Sequence, residues 1–106
     1  NMEQPNLEYI NRLARGDESI KKELINIIKI EFPEEKKEYY SSIESGVFKR
    51  IEENVHKLKH KISILGLVKS YEIANEFETN LRKLDLNGQE DFEKILRLIT
   101  QYIKTI

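Results

Sequence analysis

With 106 residues the chain is long enough for one hydrophobic core and too short for a second, so we expect a single domain over residues 1–106. Its 18 Lys and Arg nearly balance 19 Asp and Glu, and the net charge of -1 excludes an overall field that would attract nucleic acid or an anionic membrane. The absence of Cys excludes disulfides and thiol chemistry. Neither the start Asn1-Met2-Glu3-Gln4 nor any apolar run resembles a secretory signal or a membrane span, so we expect a cytoplasmic protein.

The first two helices are predicted from apolar residues that recur at steps of three and four. The first covers residues 7–15, follows a cap at Pro5-Asn6 and ends at Gly16. The second is capped by Asp17 and runs through Pro33 to Ser45-Gly46 as one kinked helix. The expected inward-facing residues are Leu7, Ile10 and Leu13 or Ala14 in the first helix, and Ile20, Leu24, Ile27, Ile28, Tyr39, Tyr40 and Ile43 in the second.

Three further helices complete the predicted chain. The third ends at Gly66 and has an apolar seam of Phe48, Ile51, Val55, Leu58, Ile62 and Leu65. The fourth continues to about Leu84, and the turn Asn87-Gly88 precedes the fifth. Their expected core residues are Leu67, Tyr71, Ala74, Phe77, Leu81 and Leu84, followed by Phe92, Ile95, Leu96, Ile99, Tyr102, Ile103 and Ile106. Four long amphipathic helices with short connections favour an all-α antiparallel four-helix bundle with a short additional N-terminal helix.

His56 is the residue on which chemistry is expected. It falls about 130 degrees from the centre of the third helix's apolar seam, so its imidazole should face solvent. The same outward strip carries Lys49, Glu52, Lys59, His60 and Ser63, with Lys57 and Lys61 beside it. We therefore expect a locally cationic surface, on which a neutral imidazole can attack phosphorus while a lysine one turn away offsets the incoming charge.

The order of residues around His56 is similar to a known signature. His56-Lys57-Leu58-Lys59 followed by Leu65-Gly66 resembles the pattern of histidine phosphotransfer (HPt) domains, which reads His-x-Leu-Lys-Gly, five residues, then Gly. The segment LEYINRLARGD, from Leu7 to Asp17, resembles the family's opening helix, and Phe32-Pro33 matches its mid-helix proline. Glu78 stands where the family has Gln or Glu. The resemblance implies that His56 is the phosphoacceptor, that Lys59 assists the phosphoryl group and that Glu78 orients the imidazole through its other nitrogen.

Glu78 and His60 each allow more than one interpretation. Glu78 lies at the edge of its helix's apolar stripe, from which its carboxylate could reach the third helix and fix the imidazole tautomer. The alternative is a surface carboxylate paired with Arg82, four residues on. His60 departs from the family pattern, which has Gly there. The His60 side chain would narrow the access of a partner to His56 or add a polar contact to phosphate. His60 is also an alternative phosphoacceptor, but the register of Lys59, Gly66 and Glu78 favours His56.

The resemblance implies a phosphoryl carrier rather than an enzyme, with no ATP binding and no kinase activity of its own. It would take the group from the aspartyl phosphate of one response-regulator receiver and pass it to another, and a hybrid sensor histidine kinase is a further expected partner. No cofactor is expected on this chain, since Mg²⁺ belongs to the receiver. We expect a monomer. Its docking residues are predicted to be Lys49, Glu52, Lys57, His60, Ile62, Ser63 and Gly66, with Leu65 or Val68 at the apolar rim.

Other functions stay open at this stage. A helical docking module, including a degenerate HPt domain that is never phosphorylated, would have the same apolar stripes. A metal enzyme could use His56 and His60 at i and i+4, although Lys57 stands where a zinc-protease motif has Glu. Nucleic-acid binding would depend on the lysines alone, without aromatic residues between them.

Overall fold

The computed structural model describes residues 3–106, which form five α-helices and no strands. Helix α1 spans Glu8–Ala14, α2 Glu18–Ser45, α3 Phe48–Ile64, α4 Val68–Arg82 and α5 Gln89–Tyr102. The predicted all-α fold is confirmed. Asn1 and Met2, which open the stretch compared with a secretory signal, lie outside the described residues. Over residues 3–106, none of the helices is both long and apolar enough to cross a membrane.

Local sequence explains where α2 begins and ends. Asp17 accepts hydrogen bonds from the backbone N–H groups of Ser19 and Ile20 at 2.9 and 3.2 Å, which makes it the predicted N-cap. Gly46 ends the helix with a left-handed φ of 68°. Between them α2 continues through Pro33 as one helix of 28 residues, so the prediction of a single helix is confirmed.

The N-terminal segment before α1 forms hydrogen bonds with the turn between α3 and α4. Glu3 accepts hydrogen bonds from the backbone N–H groups of Lys69 and Ser70, both at 3.0 Å. The backbone N–H of Asn6 donates to the carbonyl of Leu65 at 2.9 Å. The first turn of α4 therefore has part of its free N–H groups satisfied by a residue more than sixty positions earlier.

Apolar stripes from all five helices form the core. Helix α3 packs against both α2 and α4, α1 packs on α2, and α5 packs on α4. The predicted seam of α3 is buried from Ile51 to Leu65. The ring of Phe92 lies 5.1 Å from that of Tyr39 and 5.4 Å from that of Phe77, so aromatic contacts join α2, α4 and α5.

Several residues predicted to face the core are exposed instead. Ile20 and Ile27 lie in the first part of α2, where Ile28 is buried and Leu24 and Ile25 pack against the core, so the inward face of α2 is narrower there than the predicted stripe. Of the pair Leu13 or Ala14, only Ala14 is buried. The remaining two are Leu84, which follows the end of α4 in a left-handed turn with φ of 61°, and Tyr40.

Candidate functional site

His56 lies on the outward face of α3, as helical geometry predicts, and its side chain is 61% exposed. Its Nδ1 is 2.9 Å from Oε2 of Glu78 on α4. The Glu78 side chain is only 6% exposed, so the carboxylate lies between the two helices. The structure therefore combines an exposed imidazole with a buried carboxylate that holds one of its nitrogens.

Two cationic side chains also contact the carboxylate of Glu78. Lys59 Nζ donates to its Oε1 at 2.7 Å, and Arg82 Nη2 lies 3.5 Å from its Oε2. Burial alone would raise the pKa of Glu78, but the hydrogen bonds and charges of Lys59 and His56 outweigh burial and lower that pKa below its ordinary 4.5. The carboxylate is therefore ionised at neutral pH and can only accept hydrogen bonds.

The charge on Glu78 determines which nitrogen of His56 is free. Because an ionised carboxylate cannot donate, Nδ1 must be the donor in this contact, and in the neutral ring the proton sits on Nδ1. Nε2 then carries the free lone pair. Since the ring is exposed, this lone pair is available to an electrophile or a metal ion.

Lys59 does not lie on the exposed strip where helical spacing predicted it. It is only 8% exposed, and its ammonium donates to Glu78 and lies 5.2 Å from the centre of the Tyr71 ring. Its four-carbon stem lets the charged end turn inward from a position that begins near the surface. The charge of Lys59 therefore acts on Glu78 and not on the solvent side of His56.

The locally cationic surface expected around His56 is not found in the described part of the chain. Lys61 is buried, and both Lys61 and Lys57 form ion pairs with carboxylates of α2. The pairs are Lys61 with Glu31 and Glu35 at 2.8 and 3.2 Å, and Lys57 with Glu38 at 3.5 Å. The spacing within α3 could not reveal these partners, because they belong to a neighbouring helix.

Arg82 is a site residue that sequence reasoning gave only as an alternative partner of Glu78. Its Nε donates to Oε2 of Glu52 at 2.7 Å, while Nη2 faces Glu78, so Arg82 bridges α3 and α4. The carboxylate contacts both His56 and Arg82, but Glu78 is buried, so the alternative interpretation is right about the Arg82 pairing and wrong about a surface position. The i,i+4 spacing of Glu78 and Arg82 was the available signal.

The predicted docking residues divide into exposed and buried groups. Ile62 and Leu65 are fully buried in the seam of α3, so neither can belong to a docking surface, and this part of the prediction is wrong. Gly66 lies ten residues after His56, roughly 15 Å along a helix axis. The residues exposed on or next to α3 are Lys49, Lys57, His60, Ser63 and Val68, and Glu52 is half-buried.

Two surface hollows flank His56. The larger, of about 720 Å³, is lined mainly by charged residues. Its lining includes Glu38, Lys49, Glu52, Lys57, Glu78 and Arg82. The smaller, of about 380 Å³, has a more apolar lining of Tyr9, Leu13, Ile64 and Tyr71 together with Lys59, His60 and Ser63.

His60 lies beside His56, one turn further along α3. The centres of the two rings are 5.4 Å apart and their planes meet at 84°. His60 is exposed. Within residues 3–106, no group of three or more metal-ligating side chains is arranged to hold an ion.

Comparisons of the chain with protein-family models, with curated proteins and with solved structures gave no match. Function is therefore inferred from the residues and geometry of the site.

Proposed function

We propose that this chain is a phosphoryl carrier of the histidine phosphotransfer type, on which His56 accepts a phosphoryl group from the aspartyl phosphate of one receiver domain and passes it to another. The observation that carries the proposal is the 2.9 Å contact between Nδ1 of the exposed His56 and the buried, ionised Glu78. This contact leaves Nε2 as a free and accessible nucleophile.

The contact also suits the charge changes of the proposed step. The Nε2 lone pair attacks phosphorus in line with the aspartyl oxygen, so an N–P bond forms while the P–O bond breaks and aspartate leaves as a carboxylate. The ring keeps its proton on Nδ1 and takes up a positive charge. Glu78 faces that proton and stabilises the charged ring. Transfer to the next aspartate reverses these changes.

Lys59 is a positioning residue in this proposal. The resemblance to HPt domains implied a lysine that assists the phosphoryl group directly. Here its ammonium contacts Oε1 of Glu78 at 2.7 Å and is largely shielded from solvent, so it acts on His56 through the carboxylate. Arg82 holds Oε2 from the exposed side. Lys59 helps to keep Glu78 ionised by lowering its pKa, and the two cations together fix the orientation of the carboxylate.

We infer that α2 to α5 form an antiparallel four-helix bundle, which is the fold expected for such a carrier. Contacts of α2 with α5 and with Ile106, which follows α5, support this, because residue numbers that rise along α2 meet numbers that fall along the C-terminal part of the chain. The hydrogen-bonded pairs are Lys29 with Ile106, Lys36 with Thr100 and Tyr39 with Glu93. The pairs Glu52 with Arg82 and His56 with Glu78 relate α3 and α4 in the same way.

The proposal has implications for partners and location. The partners are receiver domains of response regulators or of a hybrid sensor histidine kinase, with Mg²⁺ held by the receiver. Such a role implies a cytoplasmic chain that binds no ATP. With its neighbouring lysines paired to carboxylates, the docking face presents balanced charges to a receiver, not a basic patch.

The test uses a phosphorylated receiver with Mg²⁺ and the full chain. We expect labelled phosphate to move onto the chain as an acid-labile, base-stable adduct, to map to His56 by mass spectrometry and to be absent from His56→Gln. His60→Gln is the matched control, because it removes the neighbouring imidazole and keeps the proposed acceptor. Equal labelling of His56→Gln and the parent would overturn the assignment, and a parent chain that no receiver labels would favour the unphosphorylated docking module.

A further inference from the structure

Two exposed imidazoles occupy one face of α3. His56 and His60 are at i and i+4, positions whose side chains are neighbours on a helix, and their ring centres are 5.4 Å apart. Imidazole nitrogen is a preferred ligand of divalent transition metals. We propose that His56 and His60 together bind one such ion, with Zn²⁺ as its representative, through Nε2 of His56 and a ring nitrogen of His60.

The surroundings of His56 prepare it as a ligand. Metal-binding histidines characteristically donate their other ring N–H to a carboxylate, which fixes the ring and makes the ligating nitrogen more basic. Glu78 accepts this bond from Nδ1 at 2.9 Å, and its orientation is fixed by Lys59 on the other oxygen. The ligating nitrogen is therefore oriented before an ion arrives.

Local charge and space permit a cation at this position. Lys59 and Arg82 are balanced by Glu78 and Glu52, and Lys57 is paired with Glu38. The hollow of about 380 Å³ is lined by both histidines, which leaves room for the ion and its water molecules. Over residues 3–106 no third ligating side chain joins the pair, so water completes the coordination and the ion stays exchangeable.

Metal binding would regulate the proposed carrier, and this step rests on the proposed function. The Nε2 lone pair that binds the ion is the one that would attack phosphorus. An ion on His56 and His60 therefore prevents His56 from accepting a phosphoryl group until the ion leaves. His60, at a position where HPt domains have Gly, is the residue that adds this property.

The binding is tested by calorimetric titration of Zn²⁺ into the full chain without an affinity tag. We expect one ion per chain, a loss of binding in His56→Gln and His60→Gln, and about tenfold weaker binding in Glu78→Gln. The matched control is the double variant Lys57→His with His60→Gln, which keeps two histidines at i and i+1, where side chains do not face each other. It should not bind. Circular dichroism checks that each variant is folded. Undiminished binding in His60→Gln or in the control, or one ion shared by two chains, would overturn the site.

The regulation is tested by phosphoryl transfer from a receiver with and without Zn²⁺, each variant being compared with its own metal-free rate. Saturating Zn²⁺ should slow the parent chain and leave the rate of His60→Gln at its metal-free value, which also controls for effects of Zn²⁺ on the receiver. An equal rate in the metal-loaded parent overturns the regulatory step alone. If the parent accepts no phosphoryl group at all, the proposed function fails, while the calorimetric result still decides the metal site.

Discussion

Glu78 has the most polar contacts in the site, and its charge is linked to the stability of the fold. Its pKa is lower in the folded chain than the ordinary 4.5, so the folded state favours the ionised form. The resulting stabilisation is fully present above about pH 4.5 and is lost as the pH falls through the lower folded pKa. We expect Glu78→Gln to reduce the free energy of unfolding by on the order of 1 to 3 kcal/mol at pH 7. Urea unfolding from pH 7 to pH 3 should find that this difference shrinks in acid, and a difference that is constant with pH would contradict the linkage.

Lys59 and Lys57 offer a comparison of two lysines on the same helix. Lys59→Met keeps the apolar stem but leaves a buried carboxylate with one partner fewer, so we expect a loss of on the order of 2 kcal/mol in the free energy of unfolding. Lys57 and its partner Glu38 are 55% and 54% exposed, so Lys57→Met should cost less than about 1 kcal/mol. Urea unfolding at pH 7 measures both. Similar losses for the two variants would mean that the buried pair adds nothing beyond a surface ion pair.

The positions of His56 and Glu78 could be predicted because both depend on helix geometry. The angle from the apolar seam of α3 indicated an exposed His56, and the edge position of Glu78 indicated a carboxylate within reach of it. The burial of Lys59 could not be predicted in this way. Helical spacing fixes where a side chain starts, whereas the end of a lysine lies several rotatable bonds away and turns to the nearest carboxylate.

Gly66 and Gly46 distinguish the cost of a left-handed backbone from the cost of a steric contact. Both have positive φ, 75° and 68°, but a Cβ on Gly46 meets open space, whereas one on Gly66 would lie 2.6 Å from Nδ2 of Asn6. Asn6 could move away only by losing the hydrogen bond that its Oδ1 accepts from the N–H of Glu8 at 3.0 Å. We expect Gly46→Ala to cost about 1 kcal/mol, and Gly66→Ala to cost about 1 kcal/mol more because the N–H of Glu8, at the start of α1, also loses its acceptor.

A double-mutant cycle separates these two costs. In an Asn6→Ala background the hydrogen bond to Glu8 is already absent and the contact is relieved, so the two glycine substitutions should become equally costly in thermal or urea unfolding. If Gly66→Ala stays more costly in that background, then Asn6 is not the cause. The result also bears on function, because it would assign to Gly66 a structural role at the turn between α3 and α4 instead of a docking role.

At the scale of helices, hydrophobic periodicity predicted which helices form, and in what order, better than it predicted which of their residues are exposed. Gly16, Gly46 and Gly66 marked the ends of the first three helices because a left-handed residue cannot continue a helix. Ile20 and Ile27 have helical spacing and yet are exposed while Ile28 is buried, because periodicity describes one helix and does not tell which part of its apolar face the neighbours cover. Leu84 continues the pattern of α4 past the point where the helix stops.

For the whole molecule, the contacts that set the shape of the site come from residues far apart in the sequence. Glu31, Glu35 and Glu38 of α2 neutralise lysines of α3, and this removes the basic patch that α3 alone predicts. Composition and periodicity predicted the all-α class, since the tendency to form a helix can be read from each segment separately. Pairing between helices depends on which faces meet, and no local pattern in a single sequence encodes this.

Tyr39 connects α2 to α5 and makes the fold sensitive to alkaline pH. Its ring is fully buried against Phe92, and its hydroxyl donates to Oε2 of Glu93 at 2.9 Å. Burial, and then the hydrogen bond and charge of Glu93, raise the pKa of Tyr39 far above the ordinary 10.0. The unfolded chain therefore releases a proton above about pH 10 that the folded chain keeps, so stability falls as the pH rises through this range.

The alkaline loss of stability should be smaller in Tyr39→Phe than in the parent chain. At pH 7 the variant should lose about 1 kcal/mol, because one buried hydrogen bond disappears while Glu93 keeps its contact with Gln89 at 2.9 Å. Between pH 9 and pH 11 its free energy of unfolding should then change less than that of the parent. Tyr40→Phe is the graded control, since burial also raises the pKa of Tyr40 but the residue is 37% exposed, so its effect should be smaller. Parallel curves for parent and Tyr39→Phe would contradict this prediction, because they would mean that Tyr39 ionises as readily in the folded core as in the unfolded chain.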